Sequence, residues 1–147
     1  DRVAIARVFL QMTIPRLPDW PIRFDALVYS RLRRPFAWGI NDCALFAGDA
    51  VAAITGVDLS AGLRGHGTAL QAARTLRHHG GLRGIATACL GEPIAPGQAR
   101  QGDVMLIDAM GREALAVCVN AQDAVAPGPQ GLHVVPRDSA LCAWRVG

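Results

Sequence analysis

Cys43 is the residue with the most chemistry on offer. It lies in Ile40-Asn41-Asp42-Cys43-Ala44, at the start of a segment patterned as a helix. Asn41 is a good N-cap, so Cys43 falls at the second position of that helix. Backbone N–H groups there lack intrahelical partners, and the helix dipole adds positive potential. Both favour thiolate over thiol, the form that attacks carbonyl carbon. The alternative is a small apolar residue packing the first turn. A thiolate nucleophile also needs a base, and the chain has four histidines. His66, in the loop Arg-Gly-His-Gly-Thr, is the best placed, because that loop can fold over the helix start. His78 and His79 end a helix, where cations suit the dipole. His133 alternates with Leu132 and Val134 onto the solvent face of a strand. Asp42 completes the candidate catalytic set. Cys89, Cys118 and Cys142 sit among apolar neighbours and read as buried thiols. No CxxC pair occurs and no histidine lies at ligand spacing from two cysteines, so neither a metal site nor a cofactor is expected.

The elements that must position Cys43 read as follows. Residues 1 to 22 carry Pro15, Pro18 and Pro21 and form an extended N-terminal arm; residues 23 to 147 form a single domain. Residues 24 to 34 have a helical apolar face, which Pro35 stops. A loop, Pro-Phe-Ala-Trp-Gly-Ile-Asn, leads into the Cys43 helix, which Gly56 ends. A third helix starts at Thr68 and ends at Gly80-Gly81, and residues 84 to 92 hold a short helical turn. After Pro93 and Pro96 the pattern changes. Residues 103–108, 114–120, 132–136 and 142–146 read as strands, separated by Met-Gly-Arg-Glu and the loop Ala-Pro-Gly-Pro-Gln-Gly. Helices followed by a meander of strands predict an α+β fold, with N-terminal helices packed on a C-terminal antiparallel sheet.

Composition limits the partners. The 147 residues suit one domain, and 51% hydrophobic against 18% charged residues excludes a disordered chain. All 15 basic residues are Arg, as a GC-rich coding sequence gives, and 12 acids leave +3. Without a basic block this is too little for a nucleic-acid binder. No window of 18 apolar residues occurs, so no membrane span is expected. The first residues lack the ordered regions of a signal peptide.

Pro35-Phe36, Trp38-Gly39 and Asp42-Cys43, followed downstream by Gly102-Asp103 and then Ala-Leu-Ala-Val-Cys-Val-Asn, resemble the NlpC-type papain-like cysteine peptidases, which are bacterial and phage cell-wall endopeptidases. The resemblance covers residues 35 to 147. It implies a papain-like fold with Cys43 at the nucleophile position and Trp38 and Phe36 beside the substrate. It also implies that the base should open the second strand, where Ala114 stands. The orienting residue should lie on the following strand, where Val125 or a neighbour stands. The tyrosine near the nucleophile is replaced by Phe36. A narrower likeness, over Pro35 to Asp58, the Arg64 to Gly81 region, Leu90 to Val104 and the terminal Ala-Trp-Arg-Val-Gly, is to uncharacterised NlpC-like proteins of phage and gene-transfer-agent tail modules. That implies a structural protein of the tail tip or baseplate on a degenerate peptidase fold. It would be made in the bacterial cytoplasm, located in the virion, and bound to other tail-tip or hub proteins. Two alternatives stand beside it: an active peptidoglycan endopeptidase using Cys43 and His66, and a tail-assembly factor. The arm, with Trp20 as its anchor, is expected to dock on a neighbouring tail protein, the alternative being that it folds back on its own domain. Trp38 is expected in the core beside Cys43.

Overall fold

A computed structural model describes residues 14–65 and 68–147. Among these, four α-helices precede a five-stranded antiparallel sheet, an α+β architecture. Helix α1 spans Trp20–Arg31, α2 Cys43–Thr55, α3 Ala69–His78 and α4 Gly81–Leu90. The strands are β1 Val104–Ala109, β2 Arg112–Cys118, β3 Asp123–Gly128, β4 Gly131–Pro136 and β5 Cys142–Trp144, in the order β4-β3-β2-β1-β5.

The central helix is α2, whose sequence is apolar on nearly every side. Buried Leu45, Phe46, Ala47, Ala50, Val51 and Ile54 leave little of it in water. Asp42 caps its start, accepting a hydrogen bond from Leu45 N–H, and Gly56 ends it in the left-handed conformation at φ 82°. Asp42, not Asn41, is therefore the N-cap, and Cys43 is the first helical residue. The side-chain period of two divides the sheet between two cores. Val104, Leu106, Leu115, Val117, Val125, Cys142 and Trp144 face the helices and pack with Phe24, Phe46, Val51, Ile54 and Leu82. Met105, Ile107, Ala116, Cys118, Ala124, Ala126 and Ala143 face the other way. That second face is built mostly of small side chains, and chain segments from Ile94 to Ala99 and around Ala140 close over it. Arg137 fastens them, donating to the carbonyls of Pro96 and Ala99 at 3.1 and 2.8 Å. Burial on both faces explains why β1 is a continuous apolar run rather than an alternating one.

Three expectations change. First, α4 is a full helix rather than a short turn. Second, part of the expected Ala-Pro-Gly-Pro-Gln-Gly loop is strand β3. Third, the boundary at residue 22 falls inside α1, whose first turn contains Trp20 and Pro21. The described residues before it are tied to the domain. Leu17 N–H donates to Ile54 O at 2.7 Å, and Arg16 reaches Val146 O, Gln101 O and the buried Asp103 carboxylate at 2.7, 2.7 and 3.0 Å. The Arg16 guanidinium also lies 4.3 Å from the Trp20 ring centroid. Trp20 is thus half-buried against its own core instead of standing out as an interface residue.

Candidate functional site

The Trp38–Cys43 segment is a hydrogen-bonded turn feeding a helix. Ala37 and Asn41 pair across it, Asn41 N–H donating to Ala37 O at 2.7 Å, while Gly39 sits at φ 72° where a side chain would be strained. Asp42 holds both sides: one carboxylate oxygen accepts Gly39 N–H at 2.9 Å and the other accepts Leu45 N–H at 2.9 Å. Asn41 is fully buried. Its amide donates to the carbonyls of Arg34 and Pro35, and its oxygen accepts from Arg31. Arg31 also pairs with Asp49 of α2 at 2.7 Å, and Arg64 pairs with the other oxygen of Asp49 at 2.7 Å. Asp42 is a structural cap with its oxygens occupied. Asn41 and Asp49, which were not among the expected site residues, fix the approach to Cys43. The sequence marks Asn41 as an N-cap; its buried bonds to Arg31, Arg34 and Pro35 carry no sequence signal.

Cys43 is half-buried and packs against the core on the helix side of the sheet. Burial pushes its thiol from an ordinary 9.0 up to about 11. The adjacent Asp42 carboxylate pushes the same way, and the backbone N–H groups of Leu115, Ala44 and Cys43 itself only partly offset this. The expected activation by the helix start is therefore overturned: desolvation outweighs the terminal N–H groups. The space over the thiol is a slot of about 30 Å³ between Trp38, Ala44, Leu63, Thr75 and Leu82. That is room for about one water molecule. Phe36 stacks edge-on against Trp38, ring centroids 4.7 Å apart, and both are half-buried. Trp38 lies beside Cys43 as expected, but on the wall of this slot rather than in the core.

The sheet decides which residues face the thiol. Ala114 packs on the face of the sheet away from α2, so it does not look at Cys43. The β2 residue on the helix face is Leu115, whose own N–H reaches the thiol. Val125 lies on the same face, paired with Val117. Cys43 is thus presented with hydrocarbon by β2 and β3, and the β2 residue facing it is Leu115, not Ala114. Among the described residues no imidazole lines the slot, and His78, His79 and His133 are exposed. His66 lies outside the described residues. Its neighbour Gly65 donates to Gly39 O at 3.1 Å. No group of three or more metal-ligating side chains occurs among the described residues, and no helix there is long and apolar enough to cross a membrane.

A family model, described as a domain of unknown function (DUF6950), matches residues 15–146. The chain belongs to this family. A search of curated proteins found no match. Among solved structures, the crystal structure of the NlpC/p60 domain of the peptidoglycan hydrolase SagA is similar. It has a TM-score of 0.52 and 19% identity, over 84% of this chain and 97% of that one. At that identity the likeness carries the fold, and the DUF6950 chain has an NlpC/p60-like, papain-like α+β fold. The family match includes residues 15 to 22, in keeping with the contacts of Arg16, Leu17 and Trp20.

Proposed function

We propose that this chain is a non-hydrolytic NlpC/p60-like module that serves as a structural component of a phage-like tail tip. The loss of peptidase chemistry is supported by one observation, the surroundings of Cys43. Its thiol is pushed up to about 11, its slot admits about one water, and Leu115 and Val125 face that side of the sheet with hydrocarbon. A general base contributes about 10²–10⁴ in rate, and without one no group returns a proton to a leaving amine. The tail-tip setting rests on the sequence likeness to tail-module proteins. The test incubates the purified chain with peptidoglycan and follows released stem-peptide fragments by mass spectrometry. The expected result is no release above that of Cys43→Ala. Release that disappears in Cys43→Ala overturns the proposal.

A second reading, a peptidoglycan endopeptidase with Cys43 as nucleophile and His66 as base, is favoured by the bond between Gly65 and Gly39. That bond brings the chain neighbour of His66 to the turn that leads into Cys43. On this reading, release is lost in both Cys43→Ala and His66→Ala.

A further inference from the structure

Residues 1–13, most of the arm expected to dock on a neighbour, lie outside the described residues. The helix that follows them carries an interaction surface of its own. One side of α1 faces the core through buried Phe24, with Trp20, Leu27 and Val28 partly buried beside it. The other side carries Ile22, 75% exposed, and Tyr29, 79% exposed, with exposed Ala26 between them and Leu32, 47% exposed, just past the last turn. Positions 22, 26 and 29 follow the spacing i, i+4, i+7, that of a seam packing against another helix. The solvent side of a surface helix is ordinarily polar, and apolar area left in water costs free energy in proportion to its extent. Ala26 lets a second backbone approach the middle of the stripe, and Tyr29 is the kind of large side chain that anchors interfaces.

Charge decides what fits the stripe. Asp19 is paired with Arg23 at 2.9 Å, and Arg31 is paired with Asp49 at 2.7 Å. Among the described residues no ion pair involves Asp25, in the N-terminal half of the helix, or the exposed Arg33 and Arg34 just beyond its C-terminal end. A helix of the same sequence laid antiparallel on α1 brings its arginines toward Asp25 and its own Asp25 toward Arg33, and the two helix dipoles oppose. In a parallel pair the arginines face each other. A second copy of this chain is therefore the occupant that covers the apolar stripe and complements both charged ends with one two-fold axis.

We infer that α1 pairs with α1 of a second copy, antiparallel about a two-fold axis near Ala26 and Tyr29, so that Ile22 of each copy meets the partner's Leu32 and Arg33. The helix has 12 residues and is about 18 Å long, so the contact is small and the pair forms reversibly with concentration. Sedimentation equilibrium of the full chain over about a hundredfold range of concentration is expected to show the average mass rising from one chain toward two. Tyr29→Arg, at an exposed position, leaves the fold intact and is expected to raise the dissociation constant at least about tenfold. Ile22→Cys and Arg33→Cys chains, mixed and mildly oxidised, are expected to yield a peptide joining positions 22 and 33 of different chains, which neither variant yields alone. A single-chain mass at every concentration overturns the inference. Association that Tyr29→Arg leaves unchanged overturns it too, as does any disulfide pattern without the link between positions 22 and 33.

Discussion

Cys43 sits at a helix start, yet its thiol is pushed up, because desolvation of the half-buried residue outweighs the helix dipole and three N–H groups. Alkylation of Cys43, followed peptide by peptide, should therefore rise with pH along a curve centred near 11, leaving a thiolate fraction of about 10⁻⁴ at pH 7. A midpoint below 8 would contradict this. The same shift makes a stability prediction. The unfolded thiol ionises above its ordinary 9.0 while the folded one keeps its proton to about 11. The contribution is present below pH 9 and is lost as the pH rises through 11. It amounts to about 2–3 kcal/mol, so the stability of wild type relative to Cys43→Ala should fall by that amount across that window. The base position gives a sharper test. Leu115→His places an imidazole on the face of β2 toward the thiol and should lower the Cys43 alkylation midpoint by at least one unit. Ala114→His, on the opposite face, should leave it unchanged. The place of Cys43 at a helix start was legible in the sequence, but the β2 residue facing the thiol was not. A one-residue slip in strand register exchanges the two faces, and nothing in Ala-Leu-Ala-Val marks which face is which.

At the scale of elements, α2 is held by close approaches that leave no trace in hydrophobic pattern. Gly48, in its middle, lies directly against Ser60, so a Cβ there would collide with the serine side chain. Gly48→Ala should destabilise by about 1–3 kcal/mol in chemical denaturation, as overpacking does. Ser60→Gly in the same chain should recover most of that loss, giving a coupling that the single variants lack. If Gly48→Ala is neutral, the loop does not rest on α2. The apolar α2, its Gly56 terminus and the strands β1, β2, β4 and β5 were readable from periodicity and turn residues. Helix α4 was read short because Gly81 and Gly84 lower helix propensity, a local cost that packing of Leu82 and Ala86 against the core overrides. The end of β3, Ala126 to Gly128, reads as loop because of Pro127. That proline is tolerated because β2 pairs with β3 only through Val117–Val125 and Cys118–Ala124, so no β2 partner needs its missing N–H. The N-cap was placed one residue early because Asn41 and Asp42 both cap well, and only the buried contacts of Asn41 separate them.

Across the whole molecule, the segment before α1 and the C-terminal residues converge on one buried carboxylate. Asp103 is fully buried at the start of β1 and accepts from Arg16 at 3.0 Å, from Val146 N–H at 2.9 Å and from Arg100 N–H at 2.8 Å. It therefore joins the segment before α1, the sheet and the C-terminal residues. Removing Arg16 leaves the carboxylate with two N–H donors but without its ion-pair partner, and losing one partner of a buried pair costs about 3–5 kcal/mol. Residues 14 to 22 are thus part of the domain, and two truncations should separate cleanly. A chain beginning at Ile14 keeps Arg16, Leu17 and the first turn of α1, and should unfold cooperatively with a loss of no more than about 2 kcal/mol. A chain beginning at Ile22 loses the Arg16–Asp103 pair, the Leu17–Ile54 bond and Trp20, and should lose at least about 3 kcal/mol more. Arg16→Ala in the full chain should reproduce most of that second loss. Denaturant unfolding followed by the fluorescence of Trp144, which is fully buried beneath α4, reads all three. Equal stability of the two truncated chains would mean that the convergence on Asp103 contributes nothing to the fold.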